Sequence, residues 1–196
     1  MQVAYPKKIP ITENTSYYLS MRLSLITFAF LRLSLITFAF FFTLLTSTNA
    51  ITNKNQFNKN VINDFISIQN QARAALHMPP LVWDTRLARY ADLYARERRQ
   101  DCLLKHSNGP YGENIFWGSG NGWNPTQAAA AWVAERRWYT YGSNSCNGQE
   151  CGHYTQIIWK ESRRVGCARV TCFQGRGVFM ICNYDPPGNY VGEKPY

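Results

Sequence analysis

VGCARVTC (165–172), FQGR (173–176) and GVFMICNY (177–184) form one continuous stretch, and its reading decides the fold. Two apolar runs flank a short segment containing Gly, which is the pattern of a β-hairpin. With Phe173–Arg176 as the loop, Cys172 faces Gly177, and the same register sets Cys167 opposite Cys182. Cys172 differs from Cys167 in parity, so it points to the other face. A Cys167–Cys182 disulfide is therefore expected across the hairpin. A one-residue slip would undo that pairing.

The remaining cysteines follow from this hairpin. The chain of 196 residues has six Cys, all beyond residue 50. Cys146 and Cys151 sit in SNSCNGQECGH, where a small local ring fits. That leaves Cys172 for Cys102, with other pairings still open. An even cysteine count confined to one region points to an oxidising compartment. The spacing lacks the paired CxxC of a zinc site.

The first fifty residues are of a different kind. Residues 23–45 carry Arg32 as their only charge, and Arg22–Phe30 recurs identically as Arg32–Phe40. So short a period fits no packing geometry and reads as a duplication within a leader. A basic flank, an apolar run and small residues ending at Ala50 make 21–50 a signal peptide, with cleavage expected after Ala50. An uncleaved anchor is the competing reading, but Arg32 near its middle would cost about 2.5–3.5 kcal/mol. Residues 1–20 are an unexplained extension, and Met21 is a natural start. Residues 51–59 would then be a short mature tail.

The net charge is +9, of which +6 falls on residues 51–196. With 45% hydrophobic and 15% aromatic residues, the chain can bury a core. Val61, Phe65, Ile68, Ala72 and Leu76 recur at helical spacing. Asp84 can cap a second helix bearing Leu87, Ala91, Tyr94 and Ala95. Asn124-Pro125-Thr126-Gln127 opens a third, expected over Ala128–Trp138. Ser107–Gly122 is rich in Gly, Asn and Pro and is expected to be a long loop. Helices followed by a hairpin argue for an α+β fold.

Four residues are candidates for chemistry: His106, Glu113, Glu135 and His153. Spacing alone does not bring them together, and it leaves them as surface residues. His77 reads as a loop residue. Ser107 beside His106 suggests a nucleophile, but sequence neighbours rarely face each other productively. No GxSxG, HExxH or P-loop is present, so no enzyme is indicated and no catalytic residue is named. The basic residues are scattered, which excludes a nucleic-acid partner; anionic lipid or acidic polysaccharide suits the charge better. Eight aromatic residues between Tyr111 and Tyr141 either line a groove or pack the core.

Two segments resemble a known family. GHYTQIIW (152–159) and FMICNYDPPGNY (179–190) are similar to the two signatures of the CAP superfamily of cysteine-rich secretory, antigen five and pathogenesis-related proteins. QARAAL (71–76), DCLLKHSNGPYGENIFWGSG (101–120), AAAAWVAERRWY (128–139) and YVGEKPY (190–196) extend the likeness to the basic plant class one proteins. It spans about residues 60–196. The resemblance implies a three-layer α-β-α sandwich with a central antiparallel sheet, and the disulfides Cys102–Cys172, Cys146–Cys151 and Cys167–Cys182. It also implies that His106, Glu113, Glu135 and His153 converge in one cleft, as a metal-free polar tetrad or a shell for a divalent ion such as zinc; no cofactor is required. One departure stands out: the family's usual His-Asn pair is Gln69-Asn70 here.

What the resemblance implies for function is a secreted, monomeric plant defence protein that binds sterols or other membrane lipids and acts against fungi or oomycetes. Trp132, Trp138, Tyr139 and Tyr141 are its lipid-binding candidates. Cleavage between Asp185 and Pro186 would release residues 186–196 as a signalling peptide. Cell-wall polysaccharide is a further partner to weigh, and a hydrolase using the tetrad is the alternative activity.

Overall fold

A computed structural model of the chain describes residues 37, 38, 40, 41, 43 and 59–196. Contacts divide it into two units, Met1–Asn55 and Gln56–Tyr196. In the first unit, the five described residues are helical. The extension, the rest of the duplicated leader and the expected cleavage site lie outside the described residues. Among those described, no helix is long and apolar enough to cross a membrane.

The second unit is built on the hairpin. Strands β5 (Arg164–Thr171) and β6 (Val178–Asp185) pair antiparallel with Cys167 opposite Cys182, the register read from the sequence. The turn is closed by Gly177 accepting from the Cys172 amide at 2.9 Å. Strand β2 (Gly112–Gly118) pairs antiparallel with the far side of β6. The short β1 (Val82–Trp83) runs parallel to the start of β5, so the sheet order is β1-β5-β6-β2. The sheet is thus mixed, with one parallel edge on an otherwise antiparallel frame.

The expected Ser107–Gly122 loop is corrected by β2. Glycines at both ends of GENIFWG read as loop signals, but they serve close packing instead. A Cβ at Gly112 would strike the Gln156 side chain, and one at Gly118 would strike the Trp123 indole. Three other elements depart from expectation. The third helix, α3, spans Pro125–Ala134 and continues as a 3-10 turn over Glu135–Trp138. Tyr139–Thr140 (β3) and Ser145–Cys146 (β4) form a small hairpin. Gly152–Ile157 is a short helix, α4, that periodicity could not detect in six residues.

The other helices follow the sequence. Helix α1 covers 59–74, and α2 spans Thr85–Arg98 with Asp84 accepting from the Arg86 and Leu87 amides. Asn124 and Gln127 form the capping box. Strand β6 alternates between two cores. Val178, Met180, Cys182 and Tyr184 pack with Phe65, Trp132 and Ile157, while Phe179 and Ile181 pack with Ala91, Ala95 and Ile115. Covered on both faces, β6 buries seven of its eight residues. Alanines at 91 and 95 bring α2 close to the sheet, completing a helix–sheet–helix sandwich. Three disulfides fasten it: Cys102–Cys172, Cys146–Cys151 and Cys167–Cys182.

Two buried polar side chains organise the core beneath the site. Arg73 is fully buried and donates to the carbonyls of Pro79, Ile157, Trp159 and Ser162 at 2.8–3.0 Å. Burial lowers its pKa to about 10, so the guanidinium stays charged at neutral pH. Gln69, where the family pattern has His, gives its amide to the Phe65 carbonyl at 2.8 Å and accepts the Tyr184 hydroxyl at 2.7 Å.

Candidate functional site

Strand β2 carries Glu113 and Asn114 next to each other, so the two face opposite sides of the sheet. Each anchors a histidine. On the first side, the Glu113 carboxylate meets His106 Nδ1 at 2.7 Å. It also accepts the Ser107 amide at 2.9 Å, the Ser107 hydroxyl at 2.6 Å and Asn183 Nδ2 at 3.2 Å. Burial pushes this carboxyl up, but the hydrogen bonds from His106 and Ser107 outweigh it and hold it below the usual range. The hydrogen bond to Glu113 in turn raises the His106 pKa.

On the second side, Asn114 Nδ2 donates to the His153 carbonyl at 3.0 Å and to the Tyr184 hydroxyl at 3.2 Å. His153 Nδ1 meets Glu135 Oε1 at 2.6 Å, and Glu135 Oε2 accepts the His153 amide at 3.0 Å. Glu135 thus caps the start of α4 from the 3-10 turn that prolongs α3. The Trp132 indole stacks on the His153 ring, with centroids 6.1 Å apart.

The four residues therefore form two His–Glu pairs linked through β2. Among the described residues, no group of three or more His, Cys, Asp or Glu is placed to hold a metal ion. Both Nδ1 atoms face carboxylates, which leaves two Nε2 atoms as the free imidazole donors. A divalent ion would meet the two imidazoles through these Nε2 atoms and would need further ligands to complete a three- or four-ligand set. The Ser107 hydroxyl gives its proton to Glu113, so the serine is a clamp on the carboxylate. What this arrangement does is fasten the 101–111 segment and α4 to the edge strand.

The lipid-binding candidates are dispersed. Trp132 is 2% exposed, with its indole N–H satisfied by the Ile115 carbonyl at 3.1 Å. It is a core residue, as its place on the inner face of α3 requires. Trp138 is half-buried with the Arg137 guanidinium over its ring. Tyr139 is half-buried against Tyr154. Tyr141 is exposed, but Tyr196 stacks on it at 4.6 Å. The hollow beside this hairpin measures about 240 Å³. A larger groove of about 620 Å³ lies between α1 and α2, lined by Val61, Ile62, Phe65, Trp83, Ala88 and Ala168, with Arg89 and Asp92 also on its lining.

Asn114, Asn183 and Arg73 escaped the sequence reading, and Gln69 drew notice there only as a departure from the family pattern. All four are buried polar residues, and burial is what marks their hydrogen-bonding role. Asn114 Oδ1 and Asn183 Oδ1 are buried without a hydrogen-bond partner, one on each side of the sheet.

A profile described as "CAP: Cysteine-rich secretory protein family" matches residues 66–184. "Pathogenesis-related protein PR-1" of Medicago truncatula is 58% identical over 152 residues, covering 76% of this chain and 88% of that protein. "Pathogenesis-related protein PRMS" of Zea mays is 51% identical over 142 residues, covering 71% of this chain and 85% of its own length. Among solved structures, NaASP2 with Zn2+ matches with a TM-score of 0.58 and 25% identity, over 69% of this chain and 84% of that one.

Proposed function

We propose, from the premise that this chain belongs to the cysteine-rich secretory protein family and to its plant pathogenesis-related class one branch, that it is a secreted defence protein that captures a sterol of the attacking fungus or oomycete. The observation that carries the lipid reading is the apolar groove between α1 and α2. Its volume of about 620 Å³ lies within the range of small-molecule sites, about 300–1,000 Å³. The hollow by the aromatic hairpin falls short of that range. Charged residues at the groove, Arg89 and Asp92, offer a partner for a hydroxyl, while Phe65 and Trp83 offer flat apolar faces. Secretion would proceed through the 21–50 leader, and a mature protein beginning at Ile51 tests it.

Titration with ergosterol, read by tryptophan fluorescence, tests the ligand. Binding should saturate. Ala88→Trp, which fills the groove, should abolish it, and Tyr141→Ala should leave it intact. The opposite pattern would return the site to the aromatic hairpin, and no saturation with the fold intact would reject sterol as the ligand.

In this proposal the tetrad is a structural brace. Its hydrogen bonds consume both carboxylates and both Nδ1 atoms, so no base is poised over a nucleophile. A His106→Ala/His153→Ala protein that keeps its antimicrobial effect supports this; loss of effect with the fold intact would favour the hydrolase. The peptide-precursor reading rests on the position of 186–196 outside the sheet, beyond the end of β6.

A further inference from the structure

We propose that the tip formed by residues 99–105 and 173–177 docks onto anionic phospholipid bilayers. Leu103, Leu104, Trp117 and Phe173 are 58, 63, 41 and 49% exposed. The first three border one hollow of about 360 Å³ together with Asp101, Cys102 and Arg176. Phe173 joins the same tip through its amide, which donates to the Arg99 carbonyl at 2.8 Å.

Its backbone is pinned. The Cys102 amide donates to the Arg98 carbonyl at 2.6 Å. The Tyr94 hydroxyl holds the Lys105 carbonyl at 2.7 Å, Arg176 Nη2 holds that of Gln100 at 2.5 Å, and the Cys102–Cys172 disulfide ties the two loops. Two adjacent leucines are thus fixed in water by a braced backbone, an exposure that marks an interaction surface.

Charge selects the partner. Arg99, Lys105 and Arg176 are exposed around the apolar side chains, and the tip's carboxylate, Asp101, is paired with Arg98 at 3.3 Å. Apolar side chains ringed by cations match the acyl boundary and the anionic headgroups of a bilayer. Aliphatic prongs such as Leu103 and Leu104 offer no flat face for a sugar ring, which sets polysaccharide second. This contact is separate from the groove between α1 and α2 and needs no sterol.

Co-flotation of the secreted protein with sterol-free vesicles tests it. Phosphatidylcholine vesicles containing phosphatidylserine should retain the protein, salt should weaken retention, and pure phosphatidylcholine should retain little. Leu103→Ser/Leu104→Ser should weaken partitioning roughly tenfold or more, and Lys105→Glu about fivefold or more. Both changes fall on exposed side chains, and circular dichroism checks that the fold persists. Equal flotation of the leucine variant, or flotation indifferent to phosphatidylserine, would overturn the proposal. So would polygalacturonate binding, or a self-association, that is lost in the leucine variant. With no sterol in the vesicles, failure here leaves the sterol reading standing, and failure of ergosterol titration leaves this one.

Discussion

Glu113 and His106 meet at 2.7 Å, although the carboxylate side chain is 5% exposed and the imidazole 61%. The pair ties a buried anion to a solvent-facing base, and its two members respond to pH in opposite senses. His106 is raised above its ordinary 6.5, so its contribution is complete below that value and fades as pH rises through the folded pKa. Glu113 is lowered below 4.5, so its contribution is complete above that value and is lost as pH falls through the folded pKa. From this pair, stability should peak between about pH 4.5 and 6.5. His106→Ala should flatten the alkaline limb by less than about 1 kcal/mol, because the ring is solvent-screened. Glu113→Gln should flatten the acid limb and cost about 1–3 kcal/mol. Thermal unfolding across pH checks both; unchanged limbs in the variants would refute the assignment.

The substitution of Gln for the family's His at position 69 has a hydrogen-bonding explanation. Gln69 supplies one acceptor to the Tyr184 hydroxyl and one donor to the Phe65 carbonyl. A neutral imidazole also has one acceptor and one donor nitrogen. Gln69→His should therefore fold with a stability change within about 1 kcal/mol, whereas Gln69→Leu leaves the buried Tyr184 proton unpaired at a cost of about 1–3 kcal/mol. Urea unfolding of the two variants separates them, and equal stability would show that the polar pairing is dispensable.

Arg73 holds four carbonyls that belong to three different loops or helix ends. Its planar fork reaches them simultaneously, which a lysine ammonium with three donors cannot do. Arg73→Lys should lose roughly 1–3 kcal/mol, and Arg73→Leu should lose more by orphaning all four acceptors. Guanidinium unfolding provides the measurement. A leucine variant as stable as the parent would mean that these carbonyls find other partners.

The hairpin, its register and the three longer helices were legible because each depends on local pattern: alternation, periodicity or a capping residue. Strand β2 was not, because Gly112 and Gly118 announce a turn locally, whereas Gly112 owes its presence to Gln156, far along the chain, and Gly118 to the Trp123 indole packed against it. Helix α4 was too short for a period. The resemblance implied one cleft for His106, Glu113, Glu135 and His153, and not their division into a His106–Glu113 and a His153–Glu135 pair, which tertiary packing around β2 sets and no spacing reveals. Trp132 misled for a related reason: an aromatic cluster in sequence does not reveal which ring faces inward.

The segment 186–196 is bound along its length. Ser162 Oγ donates to the Pro186 carbonyl at 2.7 Å, the Gly188 amide to Gln156 Oε1 at 3.0 Å, and the Lys160 amide to the Pro195 carbonyl at 2.7 Å. Asn144 Nδ2 holds the Glu193 carbonyl at 2.8 Å, and the Tyr141 hydroxyl holds the Tyr196 main-chain oxygen at 2.7 Å. Cutting the Asp185–Pro186 bond severs the chain without breaking any of these. We expect the nicked protein to retain the eleven-residue peptide through size-exclusion chromatography under native conditions. Deleting the segment should cost about 2.5–7.5 kcal/mol, at roughly 0.5–1.5 kcal/mol for each of these five hydrogen bonds. Tyr141 and Asn144 belong to the β3–β4 hairpin, which the Cys146–Cys151 bridge closes onto α4. Reduction of that bridge, or Tyr141→Ala, should therefore speed peptide loss after cleavage. Mass spectrometry of the filtrate decides: free peptide appearing as soon as the bond is cut, with the bridge intact, would show that the docked contacts do not hold it.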